Sequence, residues 1–190
     1  MKRGRLPREF YACDALELAP QLLNKVLVAG DCAGRIVEVE AYRGLDDPAS
    51  HGYRGMTPRN ASMFGPPGHL YVYFTYGMHY CANVVCGNEG ESAAVLIRAL
   101  DPLLGIDVMR TRRENDALTN GPAKICQALA IDRALDGADL VEKDRNIEII
   151  FDGTEPPKDP GVSRRIGIRE GVDLPWRWFV KESSNISRRV

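Results

Sequence analysis

Apolar and polar residues alternate along several segments of the chain, which is the pattern of β-strands that bury one face. The clearest alternation predicts strands at 35–42 and 69–76. Further strands are predicted at 25–29, 80–86, 93–100, 147–151 and 176–180. Because short turns connect the strands at 69–76, 80–86 and 93–100, we expect them to form an antiparallel meander.

Short helices are predicted around these strands. Asp14 is a suitable N-cap for a first helix, which Pro20 should bend or split. A second helix is predicted to start at Asp101-Pro102, because an N-cap residue followed by proline is typical of a first helical turn. A third begins at Asn120-Gly121-Pro122 and continues to Ala130. Together the elements predict an α+β fold built on an antiparallel sheet with flanking helices.

The segment 43–68 has no sustained period and is rich in Gly, Pro, Asp and Ser. A loop of this length inside a compact domain usually has a function. We find no repeat and no separating linker, so residues 1–190 are predicted to form a single domain.

The composition narrows the possible partners. The chain has 25 basic and 26 acidic residues, so any binding to nucleic acid must come from a local basic patch. The longest apolar run, 93–97, is far shorter than the ~20 residues of a membrane helix, and we expect no membrane partner. The basic N-terminal region lacks the apolar stretch of a secretory peptide, which favours a cytoplasmic protein.

The cysteines and histidines do not suggest a metal centre. Five cysteines form no Cys-x-x-Cys, and the three histidines form no His-x-x-x-His. We therefore expect free, reduced thiols, no metal and no cofactor.

One row of side chains carries the candidate chemistry. Glu38, Glu40 and Tyr42 are predicted to lie on the same face of the strand at 35–42 as Ile36, opposite Val37, Val39 and Ala41. His51 lies in the loop, and Tyr71 and Tyr73 are predicted to lie on the outer face of the strand at 69–76. Together with the glutamates and Tyr42, these side chains would form a pocket for a flat, polar ring, with an acid as general base. Two simpler interpretations remain open: the glutamates could lie on a solvated strand face, and the tyrosines could merely cover the sheet.

These residues lie in longer motifs that resemble the alkyladenine (3-methyladenine) DNA glycosylase family. The matching segments, in chain order, are GRIVEVEAY at 34–42, His51, TPRN at 57–60, LYVY at 70–73, YGM at 76–78, Asn83, IRAL at 97–100, GPAKICQALA at 121–130 and RIGI at 165–168. The resemblance runs from about Leu6 to Val180, and only the stretch 111–120 has no close match.

The resemblance implies a curved, open barrel-like sheet and an enzyme that flips a damaged nucleotide out of the duplex. Glu40 falls at the position of the water-activating glutamate, and Arg98 is its expected partner. Three residues match positions that stack on or bond to the extruded base: Tyr42, His51 and Tyr73. Asn83 matches the residue that rejects normal guanine through its exocyclic amine. Tyr76, at an exposed turn, matches the residue that enters the gap left in the duplex.

The implied reaction is hydrolysis of the N-glycosidic bond of alkylated or deaminated purines, namely 3-methyladenine, 7-methylguanine and hypoxanthine. No lysine lies in the Glu40 or Tyr76 motifs, so we expect a monofunctional enzyme without a Schiff base. The expected partner is double-stranded DNA, bound by a monomer in the cytoplasm, at the nucleoid if the source is bacterial. Candidate contacts to the DNA backbone are Arg54, Arg59, Lys124 and Arg165.

Two other classes of function are considered. A non-catalytic nucleic-acid-binding module could use the tyrosines for stacking alone, but it has no use for an acid inside the aromatic pocket. A hydrolase of free nucleosides could share the pocket chemistry, but it would not need Tyr76 at an exposed turn.

Overall fold

The computed structural model describes residues 3–142 and 144–188. Its strands are β1 (Gly4–Arg5), β2 (Val26–Ala29), β3 (Cys32–Arg43), β4 (Leu70–Thr75), β5 (His79–Cys86), β6 (Ala93–Leu104), β7 (Ile147–Phe151), β8 (Gly161–Ser163) and β9 (Arg177–Phe179). Its α-helices are α1 (Arg8–Tyr11), α2 (Ala15–Leu22), α3 (Ile106–Arg113) and α4 (Pro122–Ala128). Short 3₁₀ turns lie at Gly44–Asp46, Ala61–Phe64, Arg133–Leu135 and Asp144–Asn146.

The strands form one antiparallel sheet that curls into a half-barrel, in the order β1-β7-β2-β3-β6-β5-β4. Strand β3 is the centre of this sheet: β6 pairs with one edge, while β2 and β9 share the other. The β4-β5-β6 meander forms as expected. These features confirm the predicted α+β class and the curved antiparallel sheet.

The core lies between the concave sheet and the helices. Leu18 and Leu22 of α2 and Ile125 of α4 have 1% exposure or less and pack with the apolar face of the strands. The Asp14 side chain accepts a hydrogen bond from the Leu16 amide at 2.8 Å, which confirms its predicted role as N-cap. Pro20 lies inside α2 and does not split it, since the helix runs without a break from Ala15 to Leu22.

The predicted helix start at Asp101-Pro102 is wrong, because β6 continues to Leu104 and α3 begins only after Gly105. Pro102 lies opposite Gly34, where a register shift interrupts the β3–β6 ladder and a proline is tolerated. Gly105 makes the turn at φ 73°, and a Cβ there would lie 2.6 Å from the Asp31 carbonyl oxygen. Tertiary strand pairing therefore overrides the local capping signal.

The predicted alternation along β3 is wrong at Ile36. The ladder to β6 pairs Ile36 with Leu100 and Glu38 with Ala99, so Val37 forms a β-bulge with no partner on β6. Its carbonyl oxygen accepts from the Val180 amide at 2.9 Å instead. Ile36 therefore packs in the core on the side of Val39 and Ala41, not on the side of the glutamates. Within the described ranges, no helix is both long and apolar enough to cross a membrane.

Candidate active site

Strands β3 to β6 and two loop segments surround a cavity of about 450 Å³, a volume suited to one small polar ligand. The first loop contributes Ala49 and His51, and the second contributes residues 166–170. The side chains predicted to surround a base all line this cavity: Tyr42, His51, Tyr73 and Asn83. Arg98, the predicted partner of Glu40, lines it as well. The loop after β3 and the loop after β8 thus meet over the same part of the sheet.

Glu38 and Glu40 share Arg98 across the β3–β6 pair. Arg98 Nε donates to Glu38 Oε1 at 2.9 Å, and Arg98 Nη1 donates to Glu40 Oε2 at 3.2 Å. Both glutamates have no exposed surface, and Arg98 is 7% exposed. The interpretation of this row as a solvated strand face is therefore wrong, and each buried charge has a partner.

Glu40 lies directly behind the cavity wall. Its carboxylate also accepts hydrogen bonds from the Tyr42 hydroxyl at 3.0 Å and from the Ile166 amide at 2.7 Å. Burial raises the pKa of Glu40, and the charge of Arg98 and these hydrogen bonds only partly oppose the shift. Tyr42, Ile166 and Arg98 all line the cavity. The Glu40 carboxylate is therefore hydrogen-bonded to three residues of the cavity wall.

The hydrogen-bond environment of Glu38 differs from that of Glu40. Its carboxylate accepts hydrogen bonds from Arg177 Nε at 2.7 Å and from both the amide and the hydroxyl of Ser187. Burial alone would raise the pKa of Glu38, but the donors from Arg177 and Ser187 and the charge of Arg98 outweigh it and lower the pKa. Glu38 is thus held in the ionised state.

Aromatic side chains form one wall of the cavity. The Tyr71 and Tyr73 rings stack with centroids 5.5 Å apart, and His51 meets the Tyr73 ring edge-on at 4.4 Å. His51 Nδ1 lies 2.9 Å from the Tyr71 hydroxyl, which fixes the ring orientation. Desolvation by these neighbours and the charge of Arg59 lower the pKa of His51, so the imidazole is neutral at neutral pH. Burial raises the pKa of Tyr71 to about 12, so its hydroxyl stays protonated.

Asn83 lies on the cavity floor. Strand β5 places it opposite Tyr71 of β4 and Leu96 of β6, and it is 4% exposed. Asn83 Nδ2 donates to the Tyr71 carbonyl oxygen at 3.1 Å, which fixes the plane of the amide.

Tyr76 lies at the tip of the β4–β5 hairpin, between the paired residues Thr75 and His79. It has a positive φ of 51° and is 82% exposed, and it also lines the mouth of the cavity. Phe74 and Met78, at 43% and 67% exposure, extend this apolar tip. The predicted exposed turn is confirmed.

Three of the four residues predicted to contact the DNA backbone are at least partly exposed. Arg54 and Arg59 are exposed, and Arg59 Nη2 donates to the Phe74 carbonyl oxygen at 2.8 Å beside the hairpin. Lys124 is half-buried, and its ammonium donates to the Asn120 side chain at 2.7 Å. Asn120 is neutral, so this contact leaves the charge of Lys124 uncompensated.

Arg165 does not fit its predicted contact with phosphate, and we correct that assignment. Its side chain has no exposed surface and forms a bidentate ion pair with Asp47. The guanidinium also lies between the Tyr42 and Trp176 rings, 4.8 and 5.0 Å from their centroids. Arg165 therefore supports Tyr42 from behind the cavity wall.

Sequence reasoning missed several residues that shape the site. Tyr71 was placed on the correct face without a role, and its period-two position next to Tyr73 is the signal that could have found it. Asp47, Arg177 and Ser187 gave no comparable signal, because their contacts join segments far apart in the chain. Within residues 3–142 and 144–188, no group of three or more His, Cys, Asp or Glu side chains could hold a metal ion.

Comparison with known proteins assigns the chain to a class of enzyme. Residues 9–184 match the family model described as methylpurine-DNA glycosylase. A relative from Burkholderia lata, named "Putative 3-methyladenine DNA glycosylase", is 56% identical over 190 residues, which cover 97% of this chain and 92% of the relative. Relatives of the same name from Carboxydothermus hydrogenoformans and Agrobacterium fabrum are 51% and 45% identical, covering 97% of this chain and 99% and 93% of their own lengths.

The protein is therefore a DNA glycosylase, a hydrolase of N-glycosyl bonds that acts in the repair of alkylated DNA. Within that class, the chain belongs to the methylpurine-DNA glycosylase family.

Proposed function

We propose that this protein is a monofunctional glycosylase that flips alkylated or deaminated purines out of double-stranded DNA and excises them by hydrolysis. The proposed substrates are 3-methyladenine, which the names of its relatives include, together with 7-methylguanine and hypoxanthine. The observation that carries the proposal is the carboxylate of Glu40, buried behind an aromatic cavity and paired with Arg98.

The cavity favours a flat ring with reduced electron density. Tyr42 and Tyr73 offer aromatic faces and protonated hydroxyls, and alkylation at N3 or N7 gives a purine a positive charge that such faces attract. Neutral His51 adds ring nitrogens for hydrogen bonding. Asn83, whose amide is fixed by Tyr71, crowds the edge of the base where normal guanine carries its amine.

Glu40 is the proposed general base. It accepts a proton from a water molecule while the water oxygen bonds to C1′ of the sugar and the base leaves with the electrons of the glycosidic bond. The ionised carboxylate also stabilises positive charge that develops on the sugar. Since Glu40 has no exposed surface, this water must enter from the cavity beside Ile166, whose amide holds Glu40 Oε1. The cavity lining contains no lysine, which agrees with direct hydrolysis.

The hairpin tip supports action on duplex DNA and not on free nucleosides. Tyr76 is a large, rigid side chain presented at an exposed turn beside the cavity, as a residue that replaces a flipped nucleotide must be. Arg54, Arg59 and Lys124 are the proposed phosphate contacts around it. We also propose a monomer that works on DNA in the cytoplasm.

A base-release assay tests this function. The protein is incubated with alkylated duplex, inosine-containing duplex, undamaged duplex and the corresponding free nucleosides, and released bases are separated by chromatography. We expect release from both damaged duplexes and from neither control. Release from the free nucleosides alone would favour the nucleoside hydrolase. Binding of damaged duplex without release of any base would favour the non-catalytic module.

A further inference from the structure

Four buried charges form a closed network beneath the cavity. Glu38 and Glu40 are paired with Arg98 and Arg177, and each of the four is 7% exposed or less. Arg98 and Arg177 both donate to the same oxygen of Glu38, whereas Glu40 accepts from only one of these two arginines, Arg98. The position of the Arg98 guanidinium relative to Glu40 therefore depends on the groups that accept hydrogen bonds from its other nitrogen atoms.

The segment 183–188 supplies that support. The Ser187 hydroxyl accepts from Arg98 Nη2 at 3.2 Å and donates to Glu38 Oε1 at 2.7 Å. The Ser187 amide donates to the other oxygen of Glu38, and the Arg188 carbonyl oxygen accepts from Arg177 Nη2 at 2.7 Å. The family match ends at residue 184, so these contacts lie beyond it.

Separate contacts anchor the same segment to the sheet. The Ser183 hydroxyl and the Asn185 amide nitrogen donate to Asp101 Oδ1 at 2.7 and 3.0 Å. Asp101 lies on β6, three residues after Arg98. The segment is thus anchored at Asp101 as well as at Glu38 and Arg177.

We propose that Glu38 and Ser187 are positioning residues that hold the Arg98 guanidinium against Glu40, so that the segment 183–188 completes the active site. The proposal rests on the proposed role of Glu40. Arg98 has a fork of fixed donors, and each donor that Glu38 or Ser187 occupies restricts the direction of the remaining one. Glu38 does not reach the cavity lining, so it affects the site through Arg98 and through its own charge, which raises the pKa of Glu40.

Ionisable groups from several elements face this network, and a change in any of them would affect the titration of Glu40. They are Arg98 on β6, Tyr42 and Glu38 on β3, Cys81 on β5, Arg177 on β9 and Arg165 behind Tyr42. The test therefore changes Ser187, which carries no charge, and leaves every ionisable group in place.

The experiment compares Ser187→Ala with Ser187→Thr, which keeps the hydroxyl, and with Ser184→Ala, an exposed serine of the same segment. Single-turnover excision is measured across pH, and the Glu40 carboxyl group is titrated by ¹³C NMR, assigned with Glu40→Gln. We expect Ser187→Ala to lower the excision rate roughly tenfold, as loss of a hydrogen bond to charged groups does. We also expect a higher titration midpoint for Glu40, because Arg98 stabilises its carboxylate less well. Ser187→Thr should restore both values toward those of the wild type.

Equal rates and equal Glu40 midpoints in Ser187→Ala and Ser184→Ala would overturn the proposal. So would a lower melting temperature of Ser187→Ala with both values unchanged, since that result describes a structural contact only. Normal excision by Glu40→Gln would refute the proposed role of Glu40 instead. The NMR titration would then still decide whether Ser187 positions Arg98.

Discussion

The two carboxylates that share Arg98, Glu38 and Glu40, differ in the hydrogen-bond donors that the protein provides to them. Glu38 receives donors from Arg98, Arg177 and Ser187, and these lower its pKa against the effect of burial. Glu40 receives fewer charged donors, and burial raises its pKa. A carboxylate saturated with donors is a structural charge, whereas one left more basic beside a cavity is suited to accept a proton.

Removal of the Glu40 carboxylate should have the largest effect. We expect Glu40→Gln to lower single-turnover excision by about 10²–10⁴-fold, the usual contribution of a general base. Affinity for damaged duplex should be retained, because the aromatic wall is untouched. The measurement is excision and equilibrium binding on the same duplex. A variant that excises at nearly the wild-type rate would remove Glu40 from this role.

The matched change at the other carboxylate should lower stability, and it should also lower the excision rate, by less than Glu40→Gln does, because Glu38 positions Arg98 but does not reach the cavity. We expect Glu38→Gln to lower the free energy of unfolding at neutral pH by about 3 kcal/mol, because it leaves two buried arginines with one carboxylate. The pKa of Glu38 is lowered by folding, so its stabilisation is complete above the unfolded-state pKa of about 4.3 and is lost as pH falls through the folded-state value. The difference from wild type should therefore shrink in acid.

Urea unfolding at several pH values checks this prediction, with Glu40→Gln as the matched control. Folding raises the pKa of Glu40, so its ionised form opposes folding at neutral pH. Glu40→Gln should consequently be destabilised less than Glu38→Gln. A larger loss of stability in Glu40→Gln than in Glu38→Gln would contradict the distinction between the two carboxylates.

The hairpin tip should change flipping without changing either carboxylate. We expect Tyr76→Ala to lower excision of hypoxanthine paired with cytosine about tenfold, since a stacking contact that replaces the flipped nucleotide is worth about 1–3 kcal/mol. The loss should be smaller for hypoxanthine in a mismatch or a single strand, where less pairing must be broken. Tyr76→Phe keeps the ring and should behave like the wild type. An equal loss on every substrate would instead indicate a defect in the cavity.

The smallest effect is expected at the periphery of the site. Lys124→Ala should weaken binding of damaged and undamaged duplex alike and reduce the slope of log affinity against log salt by about 1. The control is Lys158→Ala, which changes an exposed lysine in the connection between β7 and β8. A salt slope equal to that of the control would remove Lys124 from the DNA contacts.

Local patterns predicted most of the sheet and the part of the site that lies on it. The alternation at 69–76 and the Asp14 capping signal act over a few residues, and both are confirmed. The helix predicted at Asp101-Pro102 failed because pairing of β6 with β3 extends through those residues.

Local sequence patterns did not predict the contacts that hold the residues behind the cavity wall. Ser187 meets Glu38 across 149 positions of the chain, and Arg165 meets Asp47 across 118. No local period reports contacts of this separation. The burial of Arg165 therefore became visible only in the folded chain.

The pH dependence of single-turnover excision tests the central claim most directly, namely that Glu40 and not Glu38 is the working carboxylate. Because burial raises its pKa, the wild-type rate should fall in acid with a midpoint above the value of about 4.3 for an exposed glutamate. Glu38→Gln should keep this acidic limb, and Glu40→Gln should lose it along with most of the rate. An acidic limb and rate that persist in Glu40→Gln but vanish in Glu38→Gln would contradict the account.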